Sequence, residues 1–298
     1  MIINLELYRT FIAVAEQGSF TRAANELGLT QSAISQAVRQ LEELLDAQLF
    51  IRTGRGIILT DAGEILISRV GELISGVNSA QNYFMQLRGL EAGSLRIGAS
   101  DTLSRHILLP HLCAFHERYP KVGMQVTNRT SEETVELLRR GKVDIGFVNL
   151  PVECGKELVV EELLTVQDCF ICGLRYVADF KEPVSLEKLA GYPLLLLERA
   201  SASRRYLDSV LAQIGVSLTP QIELGSLELL VDFTRGNLGI AAVTREFLIP
   251  DPSLTIIETV PPIPPRSVGV VLKKNSAMTS AVKAFMDLVK ADMPHENA

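Results

Sequence analysis

SFTRAANELGLTQSAISQAVRQLEELL, running from Ser19 to Leu45, carries two helical patterns with a glycine between them. Ala23, Ala24 and Leu27 precede Gly28, and Ile34, Ala37, Val38, Leu41 and Leu45 follow it at the i, i+3, i+4, i+7, i+11 steps of one helix face. That order is helix-turn-helix grammar. The face opposite the second stripe holds Ser32, Ser35, Gln36 and Arg39, side chains able to hydrogen-bond base edges or phosphates, and such a face fits a major groove. Two amphipathic helices with a polar surface also occur in any globular domain, so the flanking sequence has to decide.

Upstream, Leu5 to Gln17 reads as a helix whose inward stripe is Leu7, Phe11, Val14 and Ala15. Downstream, LFIRTGRGIILTDAG places two short apolar runs around Thr53-Gly54-Arg55-Gly56, a hairpin with glycines set for a tight turn. Helix, helix-turn-helix and basic-tipped hairpin make a winged helix. From about Leu5 to Gly63 the sequence resembles the LysR-type family of bacterial transcriptional regulators, matching FxxVAExGSFTRAAxxLxxTQSAxSxxVxxLE, then LFxR, then LTxAG. The resemblance implies that Thr30, Gln31, Ser32, Ser35, Gln36 and Arg39 face DNA, with Arg52 and Arg55 of the wing near the backbone or minor groove. Thr30 has a competing use as helix N-cap, which we place first. Many family members carry Pro at the position of Ser32 and Arg at that of Gln36; glutamine prefers adenine to guanine.

Charge gives no support to DNA binding. The chain of 298 residues has a net charge of −6, and up to residue 60 five arginines (Arg9, Arg22, Arg39, Arg52, Arg55) face six acids. The reading rests on motif and on how the arginines are placed. The length suggests about two domains, and 47% hydrophobic with 21% charged residues is ordinary for a globular protein. Glu6 and Arg9 interrupt any apolar leader and no apolar run is long enough to span a bilayer, so a cytoplasmic protein without membrane contact is expected.

Thr60 and Asp61 cap the next helix, about 61 to 88, along which Leu66, Val70, Leu73, Val77, Ala80, Phe84 and Leu87 step by 4, 3, 4, 3, 4, 3, an a/d seam. Such a stripe is too long for a sixty-residue domain to bury and asks for a partner, most simply another copy. The resemblance implies a dimerising linker helix and a homodimer, or a dimer of dimers (a tetramer), presenting two recognition helices to a palindromic site.

After a hinge near Leu90 to Gly93, short apolar strands alternate with helices, indicating α/β layers. Two lobes are expected, lobe I at about 93–162 and 267–298 and lobe II at about 163–266, with the chain crossing near 163 and returning through Pro261, Pro262, Pro264 and Pro265. Leu158 to Thr165 and Cys169 to Gly173 read as separate strands. The family's effector domain is similar in fold to periplasmic solute-binding proteins, and ligands of open α/β sheets sit at strand C-termini. By that match Ser100, Thr102, Ser131, Ser201 and Ser203 are the effector candidates. Asp101 at the first strand end is a departure: it either occupies the helix dipole itself or prefers a cationic ligand. In Gly236-Asn237-Leu238-Gly239, Asn237 is expected to adopt positive φ.

Enzyme chemistry finds no foothold. His106, His111 and His116 step by five and scatter around a helix, Cys169 and Cys172 face opposite sides of a strand, and no phosphate loop or nucleophile elbow is present. The expected architecture is multi-domain: a winged helix-turn-helix at 1–59, rich in α-helix, a long linker helix at 60–89, and a two-lobed α/β effector domain at 90–298. The expected function is regulation of transcription at double-stranded promoter DNA under control of a small-molecule effector, with RNA polymerase as a further partner, no cofactor, no metal and no catalysis. The alternative is a solute-binding or constitutive DNA-binding protein without effector control.

Overall fold

The computed structural model describes residues 4–53, 56–71, 77, 93–274 and 278–292, the side chains of 52, 53 and 56 excepted. The chain divides into two compact units, 1–84 and 85–298.

In the first unit, α1 (Leu5–Gln17), α2 (Phe20–Leu27) and α3 (Gln31–Leu45) precede a hairpin of β1 (Phe50–Thr53) and β2 (Gly56–Leu59). Each helix begins on a side-chain cap: Asn4 accepts from the Glu6 N–H, Ser19 from Arg22 and Thr30 from Ala33, contacts worth about 1 kcal/mol each. Gly28 ends α2 at φ 65°, a left-handed cap that costs glycine little. Phe11, Val14, Ala23, Ile34, Val38 and Leu41 are buried between the helices. The hairpin is pinned to them by Phe50, whose ring lies 5.3 Å from that of Phe11.

Residues 61–71 form α4, and residue 77 is also helical. Leu66 packs on Leu7, Phe11, Leu41 and Leu49 of its own unit, and Val70 is only 6% exposed in the single chain. Leu66, the first seam position, is half-buried and leans on its own domain's core, because α4 starts against that core. Val77 is 39% exposed, while Leu73, Ala80, Phe84 and Leu87 lie outside the described residues.

The second unit has a sheet in the order β4-β3-β5-β11-β6-β9-β7-β8, with β10 paired to β6. Its strands are β3 (Gly93–Ala99), β4 (Val122–Asn128), β5 (Ile145–Asn149), β6 (Leu158–Gly173), β7 (Leu194–Leu197), β8 (Ile222–Leu224), β9 (Ile240–Thr244), β10 (Leu254–Ile257) and β11 (Pro265–Lys273). β3 runs parallel to β4 and β5, and β7 parallel to β8 and β9, whereas β6 and β11 run antiparallel to their neighbours and join the two halves. β6 is one strand of 16 residues, where two had been expected. It continues through Val166, Gln167 and Asp168 because β11 covers its first part and β9 and β10 its last.

Each half has its own cores, on both faces of the sheet. In the first half one core gathers Leu95, Ile97, Phe115, Phe147 and Phe285 beside β3, β5 and β11, and in the second another gathers Phe170, Leu194, Leu196, Leu207 and Ile240 beside β7 and β9. Helix α11 (Ser280–Asp292) returns to the first core through Val282 and Phe285.

Helix α7 (Ser131–Arg139) lies against paired Gly98 and Gly146 of β3 and β5. A Cβ at either glycine would stand 2.8 Å from Cγ2 of buried Thr134. Gly98→Ala should therefore cost about 1–3 kcal/mol of stability in urea unfolding, as overpacking does, and Thr134→Ser in the same chain should recover most of it. Equal stability of Gly98→Ala and the parent chain contradicts this packing.

Candidate functional site

Helix α3 keeps Ile34, Val38 and Leu41 buried and turns its other face outward. Thr30, Gln31, Ser32, Gln36 and Arg39 are exposed and Ser35 is half-buried. Thr30 caps the helix and lies 3.0 Å from the Ser32 hydroxyl, and Gln31 donates to Ser35 at 3.1 Å. The structure thus uses Thr30 as the cap while leaving Gln36 and Arg39 without a partner among the described residues. Arg9 and Arg22 are engaged, with Glu6 and with the Gln17 carbonyl respectively. Arg39 is therefore a free cation on an otherwise acidic unit. Arg52's side chain and Arg55 lie outside the described residues.

In the second unit a cleft of about 410 Å³ opens where the strands of the two halves end. Ser100, Thr102, Ser131, Ser201 and Ser203 all line it. Ser100 caps the short helix α5 (Asp101–Leu103), and Asp101 accepts from the Thr102 N–H at 2.8 Å. Thr130 and Glu133 close a capping box on α7; the Thr130 backbone N–H holds the Glu133 carboxyl below its usual range. Ser131 does more than sequence reasoning gave it. It is 5% exposed, and its Oγ accepts from the Asn149 backbone N–H at 3.0 Å, so Ser131→Ala orphans a buried donor even without ligand.

Across the cleft, Ser201 precedes α9 (Ala202–Gln213) without making a cap bond. The helix is held instead by buried Arg204, which donates to Asp208, to the Leu197 carbonyl and to Glu223. Glu132 of α7 pairs with Arg205 of α9, and Glu228 of α10 (Leu227–Arg235) with His106 at 3.0 Å and Arg105 at 3.5 Å. His106 also stacks on Phe247.

Arg266 of β11, missed in the sequence, lies buried against this cleft. Its Nε and Nη2 donate to Asp168 of β6 at 2.9 Å each, its Nη2 also to Thr244 at 2.9 Å, and its Nη1 to the Asn149 Oδ1 at 2.6 Å. Nothing local in the sequence signals this, because 98 residues separate Asp168 from Arg266.

These two units correspond to known families. Residues 5–64 match the family model "Bacterial regulatory helix-turn-helix protein, lysR family", and residues 88–294 match "LysR substrate binding domain". The chain belongs to the LysR family. It is 30% identical over 291 residues to the HTH-type transcriptional regulator YfeR of Shigella flexneri, covering 97% of this chain and 94% of that one. It is 28% identical over 243 residues to the HTH-type transcriptional activator CmpR of Synechocystis, covering 81% and 79%. A full-length OxyR variant from Pseudomonas aeruginosa has the same fold, with TM-score 0.77 at 18% identity over 100% of both chains. CbnR in complex with its target DNA matches at TM-score 0.65 and 19% identity, covering 97% of this chain and 99% of that one. A winged helix-turn-helix followed by a two-lobed effector domain is thus the architecture of this LysR-type transcriptional regulator, an effector-responsive DNA-binding protein.

Two cysteines of this LysR-family chain, Cys169 and Cys172, are packing residues. Cys169 and Cys172 belong to different cores on opposite sides of β6, and burial pushes their thiols up to about 12 and about 11. Both stay protonated, hence poorly nucleophilic, at neutral pH.

Arg266→Met leaves the Asp168 carboxylate buried without its partner and should cost about 3–5 kcal/mol in urea unfolding. The Asp168→Asn, Arg266→Met double variant should lose clearly less. A single variant within about 1 kcal/mol of the parent chain contradicts the network's role.

Proposed function

We propose that this regulator, as a dimer, reads an imperfect palindrome by inserting α3 of each copy into the major groove. What supports it is the exposed polar face of Ser32, Ser35, Gln36 and Arg39, in which Arg39 is the free cation. Gln36 recognises adenine, Arg39 takes a phosphate, and Arg52 and Arg55 hold the flanking backbone. The dimer forms through the linker seam, where Val77 stands 39% exposed on the single chain. Its effector binds between the lobes among Ser100, Thr102, Ser131, Ser201 and Ser203, shifts how the two lobes close, and changes DNA bending or contact with RNA polymerase in the cytoplasm. The linkages from Glu132 to Arg205 and from Glu228 to Arg105 and His106 are contacts that such closure has to remake.

Site selection from a random DNA pool, followed by anisotropy titration, tests the interface. Gln36→Ala should relax preference by about 1–3 kcal/mol at one base pair per half-site, whereas Arg52→Ala and Arg55→Ala should weaken all sequences and lower the salt slope by about 1. Equal losses on selected and random DNA for all three variants overturn the assignment. For the seam, Val77→Glu sets two like charges together and should reduce both the mass in light scattering and the operator affinity; unchanged mass and affinity mean that the linker packs elsewhere.

A further inference from the structure

The chemistry of the cleft narrows its ligand, granted the reading that the effector binds there. Three polar lining side chains are more than nine-tenths buried: Ser131, Asn149 and Arg266, at 5%, 7% and 5% exposed. Arginine can only donate, so the Nη1 contact fixes the Asn149 amide with its oxygen toward Arg266. Nδ2 is then left with two N–H groups and no partner among the described residues. It is not sealed in the interior as Ser104 Oγ and Thr134 Oγ1 are, so it reaches the cleft. The Ser131 hydroxyl accepts from the Asn149 N–H and keeps its own proton to donate. Arg266 spends four of its five N–H groups on Asp168, Thr244 and Asn149, which leaves one on Nη1.

This floor is rich in donors yet carries little net charge, because Asp168 balances Arg266. The N-termini of α7 and α9 meet the cleft beside it, and Ser201 leaves the first N–H groups of α9 without a side-chain cap. An oxyanion is the group that satisfies such a floor. The rim has the opposite character. The carboxylate of Glu198 has no partner among the described residues, and Asp101 uses one oxygen on the Thr102 N–H and keeps the other free. Of the remaining charged lining groups, Glu133 is held in its capping box, and Arg129 is exposed and bonded to its own neighbour's carbonyl. An anion alone meets Asp101 and Glu198; a cation alone leaves the buried donors unmatched.

We propose that the cleft binds a small zwitterion of the amino-acid class, its carboxylate on Ser131, Asn149 and Arg266 and its ammonium facing Asp101 and Glu198. A volume of about 410 Å³ admits such a molecule whole. Asn149 determines specificity on the anionic side and Glu198 on the cationic side.

The test uses the full chain and the proteinogenic L-amino acids, each beside its N-acetyl derivative, which lacks the ammonium, and its amide, which lacks the carboxylate. Thermal shift finds binders and calorimetry gives Kd. At least one amino acid should raise Tm and bind about tenfold or more tighter than either derivative, the loss expected for one charge-assisted contact. Asn149→Asp keeps an oxygen for Arg266 while replacing the donors with a negative acceptor, and should weaken the amino acid by about tenfold or more. Glu198→Gln, on an exposed side chain, should remove the advantage over the N-acetyl derivative and leave the parent Tm unchanged. No stabilisation by any amino acid, or equal binding of a derivative, overturns the zwitterion. If the equally bound derivative still responds to Asn149→Asp, the effector cleft stands and only the ligand class falls. A binder indifferent to both substitutions overturns the cleft itself as the site.

Discussion

The effector domain depends on one constraint: β6 and β11 cross from one half to the other side by side, and a guanidinium is buried where they do. Arg266 pairs across the strands with Val166, and its side chain reaches diagonally to Asp168, two residues on, within the range of such neighbours. Isolated, either charge would cost several kcal/mol to bury. Together with Thr244 and Asn149 they satisfy each other. Asn149 ends β5 in one half, Thr244 ends β9 in the other, and Asp168 and Arg266 lie on the connecting strands. One network therefore touches both halves and forms the bottom of the cleft between them. What ties the lobes together also sets the donors that line the cleft.

The DNA-binding unit solves a different electrostatic problem. Its sequence is slightly acidic up to residue 60, so attraction to a polyanion cannot come from bulk charge. Placement supplies what composition lacks. Arg9 and Arg22 are engaged within the unit, while Arg39 projects from the exposed side of α3 near Gln36 without a partner among the described residues.

The sequence made the first unit legible because its signals are local. Caps at Ser19 and Thr30, the left-handed Gly28 and the 3.6-residue stripe of Ile34, Val38 and Leu41 each act within a few residues. The positive φ at Asn237, 61°, was readable for the same reason. The five cleft hydroxyls were legible as strand and helix ends. Asn149, Asp168 and Arg266 were not, since their meaning arises only when residues up to 117 apart meet. The 16-residue β6 was hidden similarly: the strands expected at Leu158 to Thr165 and Cys169 to Gly173 left Val166, Gln167 and Asp168 between them, and only the flanking strands show these three as positions within one ladder. In the linker, periodicity located the stripe but could not tell that Leu66 leans on its own domain.

Regulation requires that the cleft and α3 share a free energy, and linkage makes that requirement reciprocal. If a ligand changes operator affinity by some factor, the operator must change ligand affinity by the same factor. The direct measurement is a calorimetric titration of the stabilising ligand into the full chain, once free and once saturated with its selected operator. Two dissociation constants differing by roughly 5- to 150-fold are predicted, the usual span of such coupling. Identical constants in the two titrations would contradict effector control, leaving a ligand-binding domain and a DNA-binding domain that share a chain without a function in common.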